Sequence, residues 1–201
     1  MHLVTLDLEG VLVPEIWVGL AERTGIDALR RTTRDEPDYD VLMKGRLLLL
    51  RKHGIRIGAI HEVIGSMAPL DGAAEFLAWL RSKTRVIVLS DTFAEFAGPL
   101  MARLDHPVLF CHELVVDGDG WITGYRLRQK DQKRRAVEAF RGLGFTVAAG
   151  GDSYNDVTML DAADHAVLFR PPDSLRSERA DWPVAEDHAG LRRFFEPILE
   201  G

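Results

Sequence analysis

Two short acidic clusters, each directly behind an apolar run, stand almost a whole chain apart. Asp7-Leu8-Glu9-Gly10-Val11 follows Leu3-Val4-Thr5-Leu6, and Gly151-Asp152-Ser153-Tyr154-Asn155-Asp156 follows Phe145-Thr146-Val147-Ala148-Ala149. Such runs read as buried strands. In an open parallel sheet, carboxylates at the carboxyl ends of strands project into the crevice where ligands bind. Gathering several there is costly unless they share a cation, and hard Mg²⁺ takes oxygen ligands at such places. An aspartate beside a metal, with a second acid two residues on, is also the layout for an aspartyl-phosphate intermediate. Either cluster alone reads equally well as a strand running into a turn. The pair, in this order, predicts a sheet with its chemistry at one edge.

The rest of the chain supports a parallel sheet. The next strand after the Asp7 turn is Arg85-Val86-Ile87-Val88-Leu89, ending at Ser90, and the intervening stretch is too long for a plain crossover. Most of it reads as helix. One helix starts at Ile16 just after Pro14, and a second follows Asp38 with Val41, Leu42, Leu48 and Leu49 on a related face. A third carries the period Ile57, Ile60, Val63, Ile64. Residues 14–68 are therefore expected to form a compact helical insert, with 1–13 and 69–201 forming the core. Asp71 is expected to cap a helix that turns Phe76, Leu77 and Leu80 inward. Then come a helix over about 93–104, a short strand at Val108–Phe110, and a hairpin of Leu114–Val116 with Trp121–Tyr125. A helix over 132–142, a helix after Tyr154, a strand at Ala166–Leu168 and a terminal helix over Leu191–Leu199 complete the pattern. Alternating βα units predict a doubly wound, Rossmann-like α/β fold.

Composition narrows the function. With 201 residues and 46% hydrophobic content the chain can build a real core, while a net charge of −6 argues against nucleic acid as a partner. The single cysteine, Cys111, rules out an internal disulfide framework and fits a reducing compartment. The Leu47–Leu50 run is flanked by Arg46, Arg51 and Lys52 and reads as a buried helix, not a membrane span. The N-terminus runs straight into a strand without a basic leader, so a cytoplasmic location is expected. The sequence is compatible with a homodimer and fixes no oligomeric state.

At this point the chain resembles the haloacid dehalogenase-type phosphatases. Their hallmark is an Asp-x-Asp-x-Thr/Val motif, then a strand-end Ser or Thr, then a Lys, then Gly-Asp-x-x-x-Asp. Asp7 to Val11, Ser90, Lys133 and Asp152 to Asp156 occupy those stations in order. The helical insert resembles the smaller cap type of this family. Leu6-Asp7-Leu8-Glu9-Gly10-Val11-Leu12-Val13-Pro14-Glu15 and Leu89-Ser90-Asp91-Thr92-Phe93 are most similar to the phosphoserine phosphatase branch, in particular to enzymes that also pass the phosphoryl group to homoserine.

The resemblance implies a role for each station. Asp7 is the nucleophile, and Glu9 protonates the leaving oxygen and then takes a proton from the acceptor. Ser90, the Asp91 backbone N–H, Lys133 and Asn155 bind the phosphoryl oxygens. Asp7, Asp152 and the Glu9 backbone carbonyl hold Mg²⁺, and Asp156 holds a metal-bound water or orients Lys133. Lys130 is the rival for the phosphate lysine; Lys133 is preferred because Ala136, Val137 and Phe140 place it on the inward face. Ser90 could instead cap a helix. Glu9 departs from the usual Asp, and its extra methylene shifts the carboxyl by about a bond length, which favours transfer to an alcohol beside hydrolysis. Glu15 matches the ammonium site and Arg46 the carboxylate clamp, with Tyr39 and Met43 excluding water. Their ordinary readings are a favourable charge in a first helical turn for Glu15 and a flank to the leucines for Arg46. The histidines and tryptophans read as surface or packing residues. A receiver-type signalling domain also uses acids, a phosphorylated Asp and a Lys, but it lacks the insert and places that Asp on a later strand.

Overall fold

The computed structural model describes residues 1–32, 35–36 and 38–201. Its centre is a seven-stranded sheet of order β4-β3-β2-β1-β5-β6-β7. The strands are β1 (His2–Leu6), β2 (Arg85–Phe93), β3 (Val108–Val116), β4 (Ile122–Arg126), β5 (Thr146–Gly151), β6 (His165–Phe169) and β7 (Val184–Ala185). All neighbours are parallel except β3 and β4, which form the antiparallel edge. The chain builds outward from β1 through β2 and β3, then returns to build the other side from β5. β1 is therefore the point where the winding reverses, and the crevice beyond such a point is where these sheets bind ligands.

Alternation along the strands explains the two-sided core. Val4 and Leu6 face one layer with Phe76, Leu77, Leu80, Phe96, Leu100 and Phe195. These last come from the helices α4 (Ala73–Lys83), α5 (Ala94–Arg103) and α9 (His188–Glu200). Leu3, Val147 and Ala149 face the opposite layer with Val137, Met159, Leu160 and Leu175. That layer is built by α6 (Gln132–Gly142), α7 (Val157–Ala162) and α8 (Asp173–Glu178). A period of two on the strands thus sorts the apolar residues between two helical layers.

Between β1 and α4 lie α1 (Ile16–Thr24), a 3₁₀ turn (Asp27–Arg30), α2 (Tyr39–Lys52) and α3 (Ile57–Ser66). The chain enters and leaves this segment side by side, since Leu70 N–H donates to the Leu12 carbonyl at 2.9 Å. Asp38, just ahead of the expected second helix, caps α2, its carboxylate accepting from the N–H groups of Asp40 and Val41. The inward face of α2 differs from the sequence expectation. Val41 and Leu48 are exposed, at 51% and 70%, while Leu42, Met43, Arg46 and Leu50 are buried. The helix turns Arg46 inward, and the apolar face rotates with it.

Three further corrections are local. Asp71 does not cap α4: its cap is Gly72, at φ +81°, with no side-chain hydrogen bond. The expected short strand and first hairpin arm are one continuous β3, and β2 runs past Ser90 to Phe93 with a register shift after Leu89. α8 and β7 were not anticipated, because both are too short to show a period.

Glycine fixes the acidic end of β5. A Cβ on Gly151 would lie 2.5 Å from the Asp156 side chain, which sits fully buried behind it. Gly151→Ala is expected to lower the unfolding free energy by about 1–3 kcal/mol in urea titration. Gly45→Ala, inside α2 with open space around it, is expected to raise stability by roughly 0.5–1 kcal/mol.

Candidate active site

The ends of β1, β2 and β5 deliver the acidic clusters to one place. Asp7, the residue after β1, is 4% exposed. Its Oδ1 accepts from Leu8 N–H at 2.7 Å and lies 2.8 Å from Lys133 Nζ. Lys133, in the first turn of α6, is 2% exposed and donates at 2.7 Å to Asp156 Oδ1. Asp156 Oδ2 in turn accepts from the N–H groups of Asp152 and Ser153, which folds the loop after β5 back on itself. One buried ammonium therefore bridges the two sequence clusters. Lys130 borders the neighbouring cavity beside Lys133, but among the described residues only Lys133 pairs with these acids.

The electrostatics follow from this crowding. Carboxyl oxygens of Asp7, Asp152 and Asp156 lie within 4.8 Å of one another. Burial, then the charges of Asp156 and Asp152, push the Asp7 pKa well above the usual range, with Lys133 pulling the other way. Burial and Asp156, then Glu15, raise Asp152 to about 7. Burial opposes the charge on Lys133, but Asp156 and Asp7 outweigh it and hold Lys133 well above its ordinary pKa. An all-oxygen set that repels itself in the absence of a cation suits a hard divalent ion. Asp156 already spends both oxygens on Lys133 and the loop N–H groups, so Asp7 and Asp152 are the side chains best free to ligate. Gly10 makes room for this: at φ +80°, its Cβ would fall 2.4 Å from Asp152 Oδ2.

Above these groups lies a cleft of about 330 Å³, lined among others by Asp7, Glu9, Glu15, Arg46, Ser90 and Asn155. Glu9 Oε2 accepts from Ile16 N–H at 2.8 Å, so the longer side chain reaches the start of α1. Burial raises the Glu9 pKa, opposed by the Ile16 N–H and by hydrogen bonds from Thr92 and Glu15. Glu15 keeps an exposed edge at the cleft mouth, yet its crowded surroundings and the Glu9 carboxyl raise it to about 7. Arg46 is 8% exposed and stacks 4.4 Å over the Trp17 ring. Its NH2 donates to the Arg31 carbonyl at 2.7 Å, and its buried Nε has no partner among the described residues. Burial lowers its pKa to about 10. Tyr39 lines the cleft and donates to the Asp91 carbonyl at 3.3 Å, while Met43 packs beneath Arg46. Ser90 is buried, and its oxygen accepts from Thr92 N–H at 3.2 Å, leaving the hydroxyl proton to donate elsewhere. The sequence-predicted residues thus converge on one cleft and the acidic floor below it.

The Asp91 side chain had no expected role. Burial would raise its pKa, but Lys133 and hydrogen bonds from His112 and Gln132 hold it well below the carboxylate range. Asn155 Nδ2 lies 3.4 Å from its Oδ2. Thr92, His112 and Gln132 were missed from the sequence. Thr92 shares the strand face of Ser90, a period-two signal that was available; His112 and Gln132 gave none.

Residues 9–161 match the family model described as haloacid dehalogenase-like hydrolase. A Pseudomonas aeruginosa protein named phosphoserine phosphatase ThrH is 53% identical over 195 residues, 97% of this chain and 95% of that protein. A Pseudomonas syringae phosphoserine phosphatase is 50% identical, over 97% of this chain and 82% of its own length. Among solved structures, a phosphoserine phosphatase from T. onnurineus aligns with TM-score 0.75 at 25% identity, covering 97% of this chain and 94% of that one. A phospho-aspartyl intermediate analogue of phosphoserine phosphatase aligns with TM-score 0.78, covering 98% of each chain, and at 21% identity it speaks for the fold alone. Among the described residues, no helix is long and apolar enough to cross a membrane.

The raised acids set a pH dependence. Asp152 and Glu15 rise to about 7 from ordinary values of 3.8 and 4.5. A carboxyl whose folded pKa is raised stabilises below its ordinary pKa and loses that contribution as pH climbs through the folded one. Without cation, Tm is expected to fall between about pH 4 and about pH 7. Added Mg²⁺ or Ca²⁺ should offset the fall at its upper end, where the ligands are ionised. Asp152→Asn should flatten the pH profile and remove the response to cation. A retained cation response in that variant would contradict the site.

Proposed function

The chain belongs to the haloacid dehalogenase-like hydrolases, and from that premise we propose that it is a Mg²⁺-dependent phosphoserine phosphatase that also transfers the phosphoryl group to homoserine. The observation that carries the reading is the placement of Glu15 and Arg46 in one cleft with Asp7 and Ser90. An amino-acid ester of phosphate offers an ammonium, a carboxylate and a phosphoryl group. An acid, a buried guanidinium and a strand-end nucleophile answer those three in turn. The names of the Pseudomonas relatives point the same way.

In this reading the phosphoryl group sits over Asp7 with its oxygens toward Ser90, the Asp91 N–H, Lys133 and Asn155. One carboxylate oxygen of Asp7 attacks phosphorus in line as the serine oxygen leaves, and Glu9 gives that oxygen its proton. The phosphoryl group is then on Asp7. Water or the homoserine hydroxyl attacks it, Glu9 takes the acceptor's proton, and Asp7 is regenerated. Transfer of this kind proceeds through a loose transition state, so the fixed donors do most of the work by positioning and neutralising charge. Mg²⁺, held by Asp7, Asp152 and the Glu9 carbonyl, would offset the charge of the acids and the phosphoryl oxygens. Asp156 is assigned to orienting Lys133.

Residues 14–68 serve as the cap over the core of 1–13 and 69–201, closing the cleft with Tyr39, Leu42 and Arg46 of α2. The substrate is a small molecule, and a cytoplasmic setting suits it. The reading is tested with O-phosphoserine and Mg²⁺, with and without homoserine, measuring phosphate and phosphohomoserine. Both products are expected; turnover of phosphate esters lacking the amino-acid group in clear preference to phosphoserine would overturn it. Arg46→Ala is expected to raise KM for phosphoserine by roughly 10²-fold, the scale of a lost charged pair in a buried site. The same change should barely affect p-nitrophenyl phosphate. Equal losses on both substrates would make Arg46 a packing residue.

A further inference from the structure

We propose that Gln132 and the Asp91 side chain are positioning residues that aim the Asp91 backbone N–H at the phosphoryl group. The inference rests on the phosphoryl-binding role given above to the end of β2. Ser90 C=O and Asp91 N–H belong to one peptide unit, and it is trans. In a trans unit the carbonyl and the N–H point in opposite directions, so whatever grips the one aims the other. Gln132 Nε2 grips the Ser90 carbonyl at 2.6 Å and also donates to Asp91 Oδ1 at 2.9 Å. Both amide hydrogens are then in use.

The orientation of that amide is itself fixed. Arg128 Nε donates to Gln132 Oε1 at 2.9 Å. Turning the amide over would set its oxygen against two acceptors and its nitrogen against a guanidinium. Gln132 is 2% exposed, so the amide has no water to fall back on and loses free energy if it lets go. A second brace comes from His112, 4% exposed. Its Nδ1 accepts from Arg128 N–H at 3.2 Å, which leaves the ring proton on Nε2, 3.5 Å from Asp91 Oδ1.

The same contact holds the lysine helix. Asp131, the residue before α6, is at φ 51° and makes no side-chain cap. Its carboxylate is occupied instead by the Thr158 hydroxyl. The first turn of α6, which carries Lys133, is thus tied to β2 through the Gln132 side chain. Gln132 and His112 do not line the cleft over Asp7; together with Lys133 they border the cavity beside it. They act through the peptide unit and do not touch the reacting atoms. This gives the Asp91 carboxylate a purpose: beside a phosphoryl site its charge is unhelpful, but as the anchor of Gln132, His112 and Asn155 it stiffens its own N–H.

The test uses the whole chain with Mg²⁺. Gln132→Met keeps the side-chain volume and removes both donors. It is expected to lower kcat about tenfold, a fraction of the 10²–10³ lost when an oxyanion donor is deleted outright. KM should change less than about threefold, since positioning is felt most in the transition state. Vanadate, which mimics the transferring group, should bind about tenfold more weakly, with phosphate inhibition changed less than about threefold. Asp91→Asn, which retains an oxygen acceptor, should recover most of the kcat that Asp91→Ala loses. Unchanged kcat in Gln132→Met, equal weakening of vanadate and phosphate, or equal losses in the two Asp91 variants would each overturn the inference. Each measurement is repeated on p-nitrophenyl phosphate, which needs only the phosphoryl site. Failure of the wild-type protein on phosphoserine alone then strikes the substrate reading and not this one.

Discussion

A buried lysine between two carboxylates is the contact on which the arrangement depends. Lys133 lies 2.8 Å from Asp7 and 2.7 Å from Asp156, and all three are nearly or fully withdrawn from water. Breaking a buried pair by deleting one partner strands the other's charge, at a cost of about 3–5 kcal/mol. The ammonium thus ties the end of β1, the loop after β5 and the first turn of α6 into one unit. It balances only part of the negative charge, and the remainder is what makes a cation welcome at Asp7 and Asp152.

The sheet's winding order explains why these groups meet. β1 has β2 on one side and β5 on the other, so residues just beyond the three strand ends are neighbours although they lie far apart in sequence. The helical segment from α1 to α3 leaves the sheet directly behind Asp7 and returns beside its own exit. It can therefore lean over the acidic floor without disturbing it. Glu9 sits at the joint: its carboxylate binds Ile16 N–H at the start of α1 and faces the cleft. In the proposed reaction one group both starts the cap and moves the proton.

Much of this was legible because it is local. An apolar run followed by acids states a strand end, and Lys133 was preferred over Lys130 from the inward face of α6 that Val137 and Ala136 define. The failures were of a different kind. Val41 and the leucines predict one inward face for α2, whereas the helix is turned by Arg46, a buried charge stacked on Trp17. Periodicity counts apolar residues and so misses a polar one that faces in. β3 reads as two pieces in sequence because its middle, with Cys111, His112 and Glu113, is less apolar than its ends. Gln132 and His112 act through contacts to β2, at sequence distances where no pattern operates. Gly10 and Gly151 also supply room for Asp152 and Asp156, which no local pattern announces.

In the proposed reaction Asp7 carries the phosphoryl group. The most direct measurement is acid quench of the protein during turnover of ³²P-labelled phosphoserine with Mg²⁺, followed by peptide mapping. An acid-stable, hydroxylamine-labile phosphoryl group is expected on the peptide containing Asp7, and none in Asp7→Asn. Label on any other residue, or turnover retained in full by Asp7→Asn, would contradict it.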